Sequence, residues 1–385
     1  MATQTPTTTR SVNPPDSVGS GIRVRIAVGF TLIAVVASLV GLVASGGSYE
    51  PAPNGLPDSG PFVGWLLPVL GAIGFGAAMA CIGWLLLAGF LDPSAGKKVV
   101  SKRGRAAMLR ASGAAAIWCV ISLIASVFTL ANILGVDLAT AAAPGTFTTY
   151  AWDVSDVRTL LISAVLAAAV AIGAVLSVSL TGTTIWLALA LVAVAAPSTA
   201  GHAVGLGDHG LALVNSVAHA VAATLWVGGL IALGATVWPK AQTVGVAAQR
   251  FGYLAIASVV ILTASGVVNA YVRLGAPADL FTSGYGRLVV AKTLLLIALI
   301  ATAAWIRRRL LPNLDGEQPR RTFAKVAALE LTLMSIATGL GVALSLTAPT
   351  RVAVQFATQA EALLGFEFPA APTVMSVVFG WDLDV

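Results

Sequence analysis

Charge is scarce in this sequence. Only 10% of its residues are Asp, Glu, Lys or Arg, against about 25% in soluble globular domains. Hydrophobic residues make up 57%, and the mean hydropathy is +0.91. Such a chain lacks the polar surface to cover itself in water, which excludes a soluble fold. Cysteine is nearly absent: Cys81 and Cys119 form no CxxC pair and no ladder of spacings, so no disulfide framework is expected. Both fall inside apolar runs, where cysteine behaves as a small hydrophobe. No GxxxxGK[ST], GxSxG, HExxH or kinase motif set occurs, which removes an ATP-driven motor and the common hydrolases; we expect no enzyme. The net charge of +6 and pI near 9.6 do not indicate nucleic-acid binding. The basic residues sit in short loops beside apolar runs, not in a stripe interleaved with aromatics.

Long apolar sequence is what the chain has in abundance. A bilayer is crossed by roughly 18–20 apolar residues. Runs suited to this fall at about 26–44, 62–91, 106–134, 157–179, 184–200, 212–238, 252–272, 286–306 and 324–347. They predict an all-α, polytopic transmembrane helix bundle of about nine helices. Residues 1–21, rich in Thr, Pro and Ser, read as a disordered cytoplasmic tail. Residues 22–349 read as the transmembrane domain, and 350–385 as an interfacial tail ending in an apolar stretch too short to span. The first run exceeds a signal-peptide core of about 7–15 residues and reads as a retained helix. With the N-terminus in the cytoplasm, 17 of the 22 Lys and Arg fall at cytoplasmic helix ends, as the positive-inside rule requires of a plasma-membrane protein. The exceptions are Arg158, Arg273, Arg287, Lys292 and Arg351. Acidic residues lean to the other side, as Glu50, Asp58, Asp137, Asp153, Asp156, Asp208 and Asp279 do.

The three histidines are the sharpest local signal, because His202, His209 and His219 fall within eighteen residues. Imidazole is the commonest metal ligand. His202 closes the fifth predicted span, His209 sits beside Asp208 in the glycine-rich loop Gly205–Gly210, and His219 lies about two turns into the sixth. Two or three imidazoles with a carboxylate suit Cu(II) or Zn(II). On this reading the nitrogens of His202 and His219 approach to ~4–5 Å, since one metal bonds each at about 2 Å. The same pair on neighbouring helices suits axial ligation of haem b as well. Trp226 shares the His219 helix face seven residues on. Lys292 and Glu330 are charges placed well within spans, where ionisable groups mark pathways or sites. Their depths differ by roughly 10 Å or more, so a direct pair is not expected. Glu330 is expected near Arg307–Arg309, and Lys292 near Asn269.

The ordered set Gly201-His202-Ala203, His219 through Trp226 to Gly228-Gly229, Ser265-Gly266 with Asn269, Gly284-Tyr285-Gly286 with Lys292, and the Glu330 helix ending at Pro349 resembles the CopD family of copper-resistance membrane proteins. The resemblance is strongest over about 200–349. Arg307 departs from the asparagine it implies near the end of the eighth span. The resemblance implies copper import or handling across the cytoplasmic membrane, beside a periplasmic CopC-type copper chaperone. His202, His219, Trp226, Lys292 and Glu330 would be functional positions. The tail Phe366-Glu-Phe-Pro369-Ala-Ala-Pro372-Thr is similar to the opening of a CtaG-type cytochrome oxidase assembly domain. It implies partners in oxidase assembly, and a structural assembly factor as an alternative role.

Overall fold

A computed structural model describes the backbone of residues 17–52, 57–92, 98–200, 209–237, 244–305, 308–309 and 317–350. Side chains are described over 27–52, 57–92, 98–200, 210–234, 246–305, 308–309 and 325–350. Among these residues the chain is helical, with a single isolated bridge between Val99 and Ser179. In hydrocarbon every peptide group must find its partner within the segment, and a helix achieves this. The elements are α1 Ser17–Ser45, α2 Pro61–Leu86 with a π-helical turn Leu87–Leu91, α3 Lys102–Leu134, the short α4 Leu138–Ala142 and α5 Pro144–Tyr150, and α6 Ser155–Leu176. There follow α7 Leu180–Ala195, α8 His209–Val237, α9 Val244–Arg273, the short α10 Asp279–Thr282, α11 Gly284–Trp305 and α12 Glu317–Leu346. Nine of them are long and apolar enough to cross a membrane, as the apolar runs predict.

Polar side chains fix the ends. Ser101 Oγ accepts from the Gly104 N–H (2.9 Å), Asp137 from that of Thr140 (3.0 Å) and Ser179 from that of Gly182 (3.0 Å), each satisfying a donor the helix cannot. Gly135, at φ 64°, ends α3 in the left-handed conformation. Two helices start earlier than hydropathy predicts. α3 begins with the basic turn Lys102–Arg105, and Arg105 donates to the carbonyls of Ala174 (3.3 Å) and Ser177 (2.8 Å) at the end of α6. α9 begins at Val244, and Arg250 donates to the Phe90 carbonyl (2.9 Å). Both extensions are polar turns tied to neighbours rather than to lipid. Two expectations are corrected. His209 is the first residue of α8, not a loop residue, and α1 starts at Ser17, inside the segment read as disordered. Extending an existing helix by a few residues is far easier than nucleating one.

The nine spans alternate, giving the bundle an acidic and a basic side. On the acidic side Ser45 Oγ and Thr347 Oγ1 are 2.9 Å apart, Ser59 donates to Asn132 Oδ1 (3.4 Å), and Arg287 donates to the Ala44 carbonyl (3.3 Å). On the basic side the Val100 N–H donates to Val178 O (3.0 Å), and Ser101 Oγ donates to Asp92. α2 lies at the centre, against α1, α3, α7, α8 and α12; α3 packs on α6, α8 on α9, and α12 on α1 and α11. Small residues allow the closest approaches, as they do in lipid. A Cβ on Gly228 would stand 2.4 Å from the Met79 carbonyl oxygen, and one on Gly83 would stand 2.1 Å from that of Gly228. The core around this crossing includes Met79, Ile82, Leu85, Met108, Trp118, Trp226 and Met334.

Candidate functional site

A belt of polar side chains crosses the acidic half of the bundle between α8, α9, α11 and α12. α8 brings Asn215, Ser216 and His219 to one face by their three- and four-residue spacing. His219 Nδ1 lies 2.8 Å from Ser265 Oγ on α9. The Ser265 hydroxyl also lies within donating distance of its own helix at Leu262 O (3.3 Å). With the hydroxyl turned that way its oxygen accepts from His219, in the tautomer that carries the proton on Nδ1 and the lone pair on Nε2. Metal-binding histidines are oriented in this way, one nitrogen held by an outer partner and the other free for the ion. Asn215 Nδ2 donates to the Ser265 carbonyl (2.8 Å), fixing the same turn of α9.

One helical stretch nearer the acidic side, Arg273 donates to Asn269 Oδ1 (2.8 Å) and Ser216 Oγ (3.4 Å). It also interacts with the Tyr285 hydroxyl at the start of α11. Lys292 completes the belt. Its ammonium would stand 3.4 Å from a Cβ on Gly341, so it rests against the bare backbone of α12. Lys292 and Arg273 act electrostatically on His219, and Arg273 acts on Lys292. At 1.5 Å per residue His219 is about 15 Å along α8 from His209 and Lys292 about 12 Å along α11 from Gly284. The two are therefore at similar depth.

The structure places the other candidates as follows. His202 and Asp208 lie outside the described residues, as does the side chain of His209, so the expected approach of His202 to His219 lies there too. Among the described residues no group of three or more His, Cys, Asp and Glu could hold a metal ion. Trp226, two turns deeper than His219 on α8, is 5% exposed and belongs to the core around Met79. Asn269 is engaged by Arg273. Glu330 is buried, eleven residues before Gly341 on α12 and so ~16 Å farther from the acidic side than the Lys292 contact. Met334 and Thr338 follow on the same face of α12, with Thr338 Oγ1 4.0 Å from Met79 Sδ. Arg307 and residues 351–385, which include the CtaG-like tail, lie outside the described residues. Arg273, Ser216, Asn215 and the role of Ser265 escape a reading of the sequence. One signal was present: Arg273 and Lys292 are both exceptions to the positive-inside distribution.

Among the described residues, nine membrane-length helices with a polar belt inside them define a multi-pass, all-α membrane protein. Residues 245–344 match the family described as Copper resistance protein D, CopD. The matched segment runs from α9 through most of α12 and contains Ser265, Asn269, Arg273, Lys292, Glu330 and Gly341. Over this segment the chain is similar to the CopD copper-resistance membrane proteins. No curated protein and no solved structure matches it. The haem alternative gains no support from this match or from the described residues.

Proposed function

We propose that this protein imports copper through the cytoplasmic membrane, taking the ion on its acidic side. That side would face the periplasm, in keeping with the 17 of 22 cations at the opposite helix ends. His219 is the ligand from which the reading is built. Its Nδ1 is held by Ser265 at 2.8 Å, which leaves Nε2 as the donor. His202, His209 and Asp208 would complete the capture set from the adjoining loop. Glu330, with the Met79 thioether 4.0 Å from Thr338 Oγ1, would offer further positions along the path without a change in the ion's oxidation state. Movement by exchange between weak sites needs neither ATP nor covalent chemistry, so the protein acts as a carrier and not an enzyme. A periplasmic CopC-type chaperone is the natural donor, and the tail points to cytochrome oxidase assembly as a destination.

The single observation that carries the proposal is the hydrogen-bonded, intramembrane His219. Copper content of the purified full-length protein and copper accumulation in cells test it. Wild type is expected to retain copper, and His219→Ala and the His202→Ala/His219→Ala pair to lose both retention and uptake. Wild-type uptake by the double variant refutes it.

A further inference from the structure

The polar belt holds positive charge without a described balance. Arg273 is met by the neutral groups Asn269, Ser216 and Tyr285. The charges acting on Lys292 and His219 are themselves cationic: Arg273 on Lys292, and both Lys292 and Arg273 on His219. Among the described residues no carboxylate figures in this set. Asp279, the acidic residue nearest in the chain, is engaged at its own turn, where Oδ2 accepts from the N–H groups of Gly275 (3.1 Å) and Ala276 (3.0 Å). Charges inside a bilayer are almost always paired. Two fixed cations beside a metal ligand also repel a bare metal ion, and the repulsion is strong where water is scarce. The same groups attract an anion: the Arg273 fork and the Lys292 ammonium are strong donors to carboxylate oxygens, and the Tyr285 hydroxyl stands beside them.

We propose that copper reaches this belt as a complex with a small carboxylate-bearing chelator, a carboxylate of which binds Lys292 and Arg273 while His219 Nε2 takes a coordination position on the metal. The anion supplies a negative charge that the described residues of the belt do not, and offsets the repulsion between the ion and the two cations. Discharge of the ion toward Glu330 then leaves the anion behind on Lys292 and Arg273. The proposal rests on the copper reading of His219 for its second half only; the anion half stands on Lys292 and Arg273.

The test uses the full-length protein in lipid nanodiscs, with citrate alone as the first probe and Cu(II)–citrate as the second. Citrate alone is expected to bind saturably. Lys292→Met, which keeps the apolar stem, and Arg273→Gln are each expected to weaken it at least tenfold. Lys292→Arg is expected to stay within about threefold, since one cation replaces another. Should the charge-removing variants fail to fold, Tyr285→Phe, which keeps both charges and removes the hydroxyl beside Arg273, is read instead, and several-fold weaker citrate binding is expected. The proposal is overturned if wild type binds no citrate, if Lys292→Met binds it as wild type does, or if citrate binds only after Asp208→Asn, which would make Asp208 the internal counter-charge. The two readings fail separately. Lys292-dependent citrate binding with copper retention indifferent to His219→Ala keeps the anion site and removes copper capture by His219. His219-dependent copper retention with no citrate binding does the reverse.

Discussion

Ser265→Ala is the substitution that asks most directly whether His219 is set up as a ligand. The Ser265 oxygen lies 2.8 Å from His219 Nδ1 and 3.3 Å from Leu262 O, and as a ligand through Nε2 the imidazole would donate its Nδ1–H to it. Removing it leaves the Nδ1–H without its partner in a span where water is scarce and releases the imidazole to either tautomer. An unsatisfied buried donor costs about 1–3 kcal/mol. Loss of an outer partner of a metal-bound histidine weakens metal affinity roughly 10–100-fold, or about 1.4–2.8 kcal/mol at 1.4 kcal/mol per factor of ten. The two figures overlap. Because His219 is only half-buried, the lower end, about tenfold, is the expected loss. The backbone contact from Asn215 to the Ser265 carbonyl (2.8 Å) does not involve the hydroxyl, so the α8–α9 packing should survive. Cu(II) affinity measured by competition with a calibrated chelator, with nitrogen hyperfine couplings in the EPR spectrum, is the assay. Ser265→Thr keeps the hydroxyl and should stay near wild type. An alanine variant within twofold of wild type, with unchanged couplings, refutes the orienting role.

Three other outcomes are expected. Gly228→Ala places a Cβ 2.4 Å from the Met79 carbonyl oxygen; overpacking of this kind costs about 1–3 kcal/mol, and a thermal-melt midpoint unchanged from wild type would contradict the close α2–α8 crossing. Asp58 accepts from the Tyr49 hydroxyl (2.6 Å) and the Gly60 N–H (2.9 Å), which hold its carboxyl below its ordinary value of 3.8. The order it gives the α1–α2 connection is therefore complete above that value and lost as pH falls through the lowered one. Hydrogen exchange there should rise on acidification, and Asp58→Asn should abolish the pH dependence. Finally, a cysteine at Thr148, in α5 on the acidic side, should react with a membrane-impermeant maleimide from outside intact cells, and one at Lys98 should not; the opposite pattern would invert the topology.

The spans were legible because a run such as Ile26–Ala44 has only one stable way to sit in hydrocarbon. Helix ends were less legible where polar turns continue the helix, as at Lys102–Arg105 and Val244–Arg250, since hydropathy sees only the part in lipid. His219, Lys292 and Glu330 stood out by charge inside apolar sequence. The belt that joins His219 and Lys292 did not, because Ser265, Asn215 and Ser216 are small polar residues common in membrane helices. Arg273 looked like an ordinary helix-end cation until its contact with Ser216 tied it to α8. Which helix lies beside which is a tertiary fact, and no periodicity in a uniformly apolar run encodes it.

α11 has the least protein around it of the nine spans, with 11% of its apolar window buried against 61% for α2. Among the described residues little protein covers it, yet it carries Lys292. A helix gripped mainly by lipid takes its tilt from the thickness of the bilayer. Membrane composition thus becomes a tuning knob on the distance between this ammonium and His219, and the same protein in short-chain and long-chain lipids should hold its cargo with different tightness.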